Sequence, residues 1–171
     1  MENLILFLAT SLVIRFSSSR GMKLKAIGDT GCSALLSSNN KLESTSTGTG
    51  DELYLHEFKD SGVTYGMICV KMKEDFNLAE AEEMLGSYID KLKGPFHILH
   101  NTGMCNDADW NSETSKTVVD YWQDSQKKDW KVKGYTDGRS IAVLYVKNIG
   151  AVDVKKQDLF LDSFHFDAAH N

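Results

Sequence analysis

Apolar and polar residues alternate most clearly in two stretches near the end of the chain. Residues 130–136 alternate with a period of two, which is typical of a half-buried strand. Residues 139–147 form a second strand-like run, and Asp137 and Gly138 stand between the two runs. Because a type I′ turn needs a positive φ at both central positions, an Asp-Gly pair at this point predicts a tight β-hairpin.

A two-residue turn at Asp137 and Gly138 would fix the register of this hairpin, placing Gly134 opposite Ile141. The alternation then gives the pair of strands two different faces. One face is apolar and is predicted to belong to a core: Trp130, Val132, Ile141, Val143 and Tyr145. The other face is mixed and is either partly wet or covered by another element: Lys131, Lys133, Tyr135, Ala142 and Leu144.

Upstream of the hairpin, the pattern predicts several strands and one long helix. The predicted strands are residues 22–27, 32–37, 41–47, 51–58 and 63–72. The last of these is almost continuously apolar, as in a strand that is covered on both faces. Asn77 as N-cap, with Glu80 three residues later, predicts the start of an amphipathic helix. Gly94 and Pro95 predict its end.

Four further segments complete the predicted order of elements. Residues 96–101 and 116–123 are interpreted as strands, although the second run also fits a helix. Asp153 is the predicted N-cap of a last helix that reaches about Ser163, and residues 164–166 form a short closing strand. Strands that are segregated from helices in this way indicate an α+β domain with an antiparallel sheet and helices packed on its faces.

Composition and charge narrow the function only slightly. The chain has 171 residues, of which 42% are hydrophobic and 25% charged, as is typical of one globular domain. Its net charge is −5, and no block of Lys and Arg is dense enough to form a phosphate-binding surface. We therefore expect no nucleic acid partner.

The first 21 residues are predicted to be a leader or signal-like segment. Residues 4–14 are an apolar run that is too short to span a bilayer but suits a signal peptide, and Ser19 and Gly21 suit a cleavage site before Met22. No basic residue precedes the run, so an artificial leader, an upstream extension or a helix of the fold are alternatives. The expected organisation is a leader (1–21), one domain (22–167) and a flexible tail (168–171). The protein would be exported if the leader is a signal peptide and cytoplasmic otherwise, with no stable membrane span.

The three cysteines do not form a disulfide framework. Cys69 lies in an apolar strand and is expected to be a buried thiol. Cys32 and Cys105 lie in loop-like sequence and could pair in an exported protein. The spacing alone does not decide whether they do.

Three stretches carry a resemblance to a known fold group: Tyr65-Gly66-Met67, residues 138–146 and residues 160–166. With the order of elements, they make residues 22–167 similar to the PsbP-like α/β/α sandwich proteins. That group includes the extrinsic PsbP subunit of photosystem II, Ran-binding nuclear factors and exported bacterial proteins. One departure is that Ile27 is followed by Gly-Asp-Thr, where relatives often carry an aromatic residue and a proline. The resemblance implies an antiparallel sheet with helices on both faces, but no single function.

No pattern of metal ligands is convincing. Asp107, Asp109, Asn111 and Glu113 alternate as in a calcium loop, but the required Gly and Glu are replaced by Ser112 and Val118. A solvated loop is the better interpretation. His97 and His100 are three positions apart on a predicted strand, so they would point to opposite faces. We expect neither a metal nor another cofactor.

No catalytic constellation stands out either. The sequence has no Gly-x-Ser-x-Gly elbow and no Gly-rich phosphate loop. Cys105 and His100 are a conceivable nucleophile and base, but such a pair means little without geometry. We therefore expect a protein that is not an enzyme and that has no catalytic residues.

Three hypotheses for function follow from this sequence. The leading one is a non-enzymatic protein-binding or assembly module that uses a sheet edge or the loop 103–115, with Trp110, Asp107 and Asp109 as contacts to an unidentified protein partner. The alternative is a carrier of a small apolar ligand, held between sheet and helix near Tyr65, Tyr88 and Tyr145. An uncharacterised hydrolase around His100 and Cys105 is a third.

Overall fold

The computed structural model describes residues 21–106, 112–149 and 153–167. The described part of the chain contains two helices and eleven strands. The helices are α1 (Leu78–Leu92) and α2 (Val154–Leu161). The strands are β1 (Met22–Ala26), β2 (Cys32–Ser37), β3 (Glu43–Ser46), β4 (Glu52–Asp60), β5 (Val63–Lys71), β6 (Ile98–Asn101), β7 (Cys105–Asn106), β8 (Lys116–Asp124), β9 (Asp129–Thr136), β10 (Ser140–Lys147) and β11 (His165–Phe166).

Two antiparallel sheets organise these strands. The large sheet has the order β3-β4-β5-β10-β9-β8-β6, and β7 pairs with β8 beside β6. The small sheet has the order β1-β2-β11. The predicted α+β class with an antiparallel sheet is confirmed at this level, although strands dominate more than the sequence analysis expected. None of the described helices is long and apolar enough to cross a membrane.

The large sheet has a core on each of its faces. Strands β5 and β10 are buried along nearly their whole length, as the apolar run at 63–72 predicted. On one face, Leu85, Ile89 and Leu92 of α1 pack against β9 and β10. The helix approaches so closely that a Cβ on Gly134 would lie 2.6 Å from Ile89 Cδ1. On the other face, the small sheet and α2 cover the centre of the large sheet.

Both helices begin where their capping residues predicted. The Asn77 side chain accepts hydrogen bonds from the backbone N–H groups of Ala79 and Glu80, which starts α1. The Asp153 side chain accepts from the N–H of Lys156 and starts α2. The segment from Lys116, which also fitted a helix, is a strand.

The β9–β10 hairpin forms where it was predicted, but the predicted register is wrong by two residues. Thr136 pairs with Ile141, so four residues separate the paired positions. Asp137 does not have a positive φ, which rules out a type I′ turn, and its side chain accepts hydrogen bonds from the N–H groups of Arg139 and Ser140. Because the shift is even, each side chain keeps its predicted face.

The mixed face of this hairpin is covered, which decides between the two options left by the sequence. Tyr135 and Leu144 belong to the core beneath the small sheet and α2. Lys131 and Lys133 form ion pairs with Asp158 and Asp162, at 2.9 and 2.7 Å. Helix α2 and its C-cap residue Asp162 therefore supply carboxylates to the lysines that the strand alternation places on this face.

A turn with two positive φ angles occurs instead between β4 and β5. Asp60 pairs with Val63, and the two residues between them are Ser61 (φ 51°) and Gly62 (φ 84°). Two central residues with positive φ match the twist of the flanking strands.

Side chains of β4 connect the small sheet to the large one. His56 Nε2 accepts a hydrogen bond from the Ser37 N–H at 3.1 Å. Tyr54 donates its hydroxyl to Asp29 at 2.7 Å and packs against Gly28, where a Cβ would lie 2.2 Å from the ring. Gly28 has φ +54°. The turn at Gly28 and Asp29 after β1 therefore packs against Tyr54 of the large sheet.

We predict that Gly138→Ala destabilises the fold much more than Gly103→Ala does. Both residues have positive φ (88° and 85°), which costs an alanine about 1–2 kcal/mol. Only at Gly138 would the new Cβ meet a backbone atom, the Phe76 oxygen at 2.2 Å; nothing lies within 4 Å at Gly103. Gly138→Ala should therefore cost about 3 kcal/mol or more, measured by urea unfolding. Equal costs would mean that the segment before α1 is not held against this turn.

We also predict that His56 makes the fold sensitive to mild acid. Burial lowers the pKa of His56 to about 4, the Lys41 backbone carbonyl opposes this, and Lys25 adds to it. Below the unfolded pKa of about 6.5 only the unfolded chain gains the proton, so stability falls as the pH drops towards 4. From pH 7 to 5 this loss is about 2 kcal/mol. Urea unfolding across this range should show a flatter profile for His56→Gln, whereas exposed His100→Gln should keep the wild-type slope.

Candidate functional site

A cleft of about 600 Å³ opens at one end of the large sheet, on the face that carries α1. Strand β4 contributes Glu57 and Lys59 to it, and the end of β10 contributes Lys147. The residues that follow α1, Phe96 and His97, form the opposite side. We call this site the Glu57 cleft.

Glu57, which lines the cleft, belongs to a carboxyl–phenol pair that spans three strands. Tyr145 on β10 and Glu57 on β4 both pair with Gly66 on β5, which lies between them. The Tyr145 ring lies across Gly66, where a Cβ would come within 2.0 Å of it. The hydroxyl then donates to Glu57 Oε2 at 2.5 Å. Gly66 is therefore the residue that allows this pair to form.

The environment shifts the pKa of both members of the pair. Burial raises the pKa of Glu57, and the hydrogen bond from Tyr145 and the charges of Lys147 and Lys59 offset part of that rise. Burial, together with the adjacent Glu57, raises the pKa of Tyr145 well above its usual value. A carboxyl with a raised pKa at the base of a cleft is a feature typical of functional sites.

Aromatic rings form one wall of the cleft. The Phe96 ring lies 5.1 Å from Trp130 and 5.1 Å from Tyr145, measured between centroids, and Trp130 lies 5.4 Å from Tyr145. Trp122 extends this cluster behind Trp130 at 6.2 Å. Of these rings, Phe96 and Trp130 line the cleft and offer an apolar surface on the same site as the Glu57 carboxyl.

Cations outnumber anions around the opening. Three lysines line it, Lys59, Lys128 and Lys147, against one glutamate, in a chain whose net charge is −5. The Lys147 ammonium lies 4.8 Å from the centroid of the Trp130 ring and 2.9 Å from Asp124 Oδ2. The local charge of the cleft is therefore opposite to that of the whole molecule.

The Asp124 side chain holds two residues of the cleft, Lys147 and Trp130, in place. Its burial favours the neutral acid, but hydrogen bonds from the Lys128 backbone, the Lys147 ammonium and the Trp130 indole together hold the pKa of Asp124 below its usual value. The buried carboxylate thus orients both a cation and an aromatic ring of the cleft.

His97 reaches the rim through a backbone turn and not through a strand. It has φ +54°, its N–H donates to the Gly94 carbonyl, and β6 begins one residue later at Ile98. The prediction that His97 and His100 lie on one strand is therefore wrong. Both side chains are exposed, and among the described residues no group of three or more His, Cys, Asp or Glu could hold a metal ion.

The conceivable pair of Cys105 and His100 does not come together. Both residues lie along the edge of β8, but His100 pairs with Gln123 and Cys105 with Val119. Four residues of an extended strand separate these positions by about 13 Å. This distance is too long for a base to take a proton from a nucleophile.

The three tyrosines proposed around an apolar ligand do not share a pocket. Tyr65 belongs to the core beneath the small sheet, whereas Tyr88 and Tyr145 belong to the core beneath α1. Tyr88 lines a separate pocket of about 440 Å³ with Met72, Phe76 and Met84. Of the three, Tyr145 is the one bound to a residue that lines the Glu57 cleft, through its hydrogen bond to Glu57.

The predicted contacts to a protein partner, Asp107, Asp109 and Trp110, lie outside the described residues, so they stay a prediction. The same holds for residues 1–20 of the predicted leader and for the tail 168–171. Residues 105 and 106, in the first part of the loop 103–115, form the short strand β7 and pair with β8. Beside it, the Leu99 side chain on β6 is 64% exposed.

Sequence reasoning missed the cleft because its parts become neighbours only in the folded sheet. Glu57 was interpreted only as a residue of a predicted strand. Tyr145 and Trp130 were correctly assigned to one apolar face, and Tyr65-Gly66-Met67 was noted without a reason for the glycine. A glycine within an apolar strand is the available signal, since it often marks a close approach.

No protein-family model matches the chain, and a search of curated proteins found none that matches it. The chemistry of the Glu57 cleft is therefore the best available guide to function.

We predict that Gly66→Ala destabilises the protein by about 2–3 kcal/mol, because the Tyr145 ring would be forced off its place in a packed core. The matched change, Gly86→Ala in α1, meets only Met104 at 3.7 Å and should stabilise by about 0.5–1 kcal/mol. Guanidinium unfolding of both variants measures the difference. If Gly66→Ala were as stable as wild type, the close approach of Tyr145 would be wrong.

Proposed function

We propose that the protein is a non-enzymatic binding protein of the PsbP-like group whose Glu57 cleft holds a small aromatic carboxylate. Group membership is supported by the order of elements and by the layers, with α1 on one face of an antiparallel sheet and α2 on the other. The observation that carries the ligand class is the combination of lysines with an aromatic wall in one cleft.

The cations define the polar part of the ligand. Lys59 and Lys147 both raise the potential around Glu57, since their charges favour its ionised form. A ligand carboxylate at the opening would meet the same two ammonium groups. Phosphate or sulfate would gain the same attraction but would leave the aromatic wall unused.

The rings define the apolar part of the ligand. A cleft of about 600 Å³ lies within the range of pockets that hold small organic molecules. Phe96 and Trp130 are tilted by 38° to each other, so an aromatic ring could stack on one and meet the edge of the other. This contact area, and not the charge alone, would give most of the affinity.

The cleft suits binding better than catalysis. Among the described residues that line it there is no serine or cysteine to act as a nucleophile. Its buried carboxyl is occupied by the Tyr145 hydroxyl. The Tyr145 hydroxyl therefore fixes the position of the Glu57 carboxyl, in line with the expected class of non-enzymatic binding proteins. The proposed ligand is small and amphipathic, whereas the leading hypothesis from the sequence was a protein partner and its alternative a small apolar ligand.

We predict that 1-naphthoate binds saturably to the protein. Lys147→Met should weaken this binding about tenfold, because the variant loses one ion pair with the ligand at a partly buried site. Isothermal titration calorimetry measures both affinities. Lys23→Met on β1 removes an exposed lysine far from the cleft and should bind as wild type does. The neutral analogue 1-naphthalenemethanol should bind more weakly to wild type.

Two results would contradict the proposal. Absence of saturable 1-naphthoate binding would remove the aromatic carboxylate as the ligand class. Equal weakening in Lys147→Met and Lys23→Met would show that net charge, and not the Glu57 cleft, attracts the probe.

A further inference from the structure

Two cysteines meet between the sheets, on the face of the large sheet opposite the Glu57 cleft. Cys32 on β2 and Cys69 on β5 belong to the same buried core, with side chains 2% and 0% exposed. Each of the two thiols is close enough to shift the pKa of the other. Cys32 Sγ also lies 3.8 Å from the Thr30 carbonyl oxygen.

Other contacts hold the backbone around each cysteine. Cys69 on β5 pairs with Tyr54 on β4. Tyr54 also contacts Gly28 and Asp29, in the loop that precedes β2. The Cys32 N–H donates to the Thr30 hydroxyl at 3.1 Å. The backbone on both sides of the contact is therefore held in place by interactions that do not involve sulfur.

We propose that Cys32 and Cys69 form a disulfide bond that joins the small sheet to the large one. The structure contains both residues as free thiols. Both side chains face the same buried core from strands of the two sheets, and two cysteines can be linked without backbone movement only where their side chains already lie close together.

The reaction is a thiol–disulfide exchange with a low-molecular-weight disulfide as oxidant. The Cys32 thiolate attacks one sulfur of the oxidant, which gives a mixed disulfide and releases one small thiol. The Cys69 thiolate then attacks the Cys32 sulfur and releases the second small thiol. Two S–H bonds are lost and one S–S bond forms, while the oxidant takes up two electrons and two protons.

The pKa values of the two thiols differ in the way that these two reaction steps require. Cys69 has the largest influence on Cys32 and lowers the pKa of its thiol, with Thr30 and Ser140 adding to this against the effect of burial. Cys32 and burial raise the pKa of Cys69. Cys32 is therefore the thiol that attacks the oxidant first.

Cys105 is too far from Cys69 to pair with it, and it lies outside the buried core that holds Cys32. It is exposed on β7, at the edge of the large sheet, whereas Cys69 lies on the central strand β5. Strands β10, β9 and β8 lie between β5 and β7. At the spacing of paired strands, Cys69 and Cys105 are therefore about 19 Å apart. The pairing of Cys32 with Cys105 that the sequence left open is therefore not the one that this fold supports.

The test refolds the full chain with reduced and oxidised glutathione, alkylates the remaining thiols after unfolding, and maps the peptides by mass spectrometry. We expect Cys105 alone to be alkylated, the peptides of Cys32 and Cys69 to be linked, and the intact mass to fall by two hydrogen atoms. Exposed Cys105→Ser is the matched control and should form the same link.

Melting temperature gives the second readout. The link closes a loop of 36 intervening residues (33–68), so a phosphine reductant should lower the melting temperature of Cys105→Ser by about 5 °C or more. It should not change that of Cys32→Ala/Cys69→Ala. If this double variant does not fold, the peptide map of Cys105→Ser decides the question alone. Three alkylated cysteines in the refolded wild-type chain, or a link to Cys105, would overturn the proposal.

Discussion

The burial of β5 and β10 on both faces is the constraint on which the rest of the fold depends. Each strand is buried along all but its last residue, so both faces of the large sheet need cover. The fifteen residues of α1 extend about 22 Å, too little to cover a face of seven strands. The face under α1 is therefore left open at both ends of the central strands. These openings are the Glu57 cleft and the apolar pocket beside Tyr88.

The sequence predicted the faces of strands better than their registers, and the β9–β10 hairpin shows why. Side-chain direction follows from a period of two, and a shift by two residues leaves it unchanged. The register depends on the length of the connecting loop, and Asp137 accepts two backbone N–H groups in a way that favours four residues over two. The helix caps Asn77 and Asp153 were predictable because each acts on neighbours within three residues.

The Glu57 cleft was beyond such local rules. Glu57 and Tyr145 are 88 positions apart, and their hydrogen bond exists only because β4, β5 and β10 align both residues with Gly66. A sequence pattern can show that a strand is buried, but not which residue of another strand it faces. The glycine could have signalled a close approach. It could not have identified the aromatic ring that makes it, or the carboxyl that the ring reaches.

The two proposed features of this molecule lie on opposite faces of the large sheet, and this separation has a physical consequence. The thiols of Cys32 and Cys69 pack beneath the small sheet, whereas Glu57, Trp130 and Lys147 open towards α1. Strand β5 contributes Cys69 to one face and Gly66 to the other, three residues apart. A covalent link on the closed face would hold β5 in place without contacting the cleft. Since the Tyr145 ring tolerates no Cβ at Gly66, a firmly held β5 keeps the Tyr145–Glu57 pair, and with it the carboxyl of the cleft, in its binding geometry.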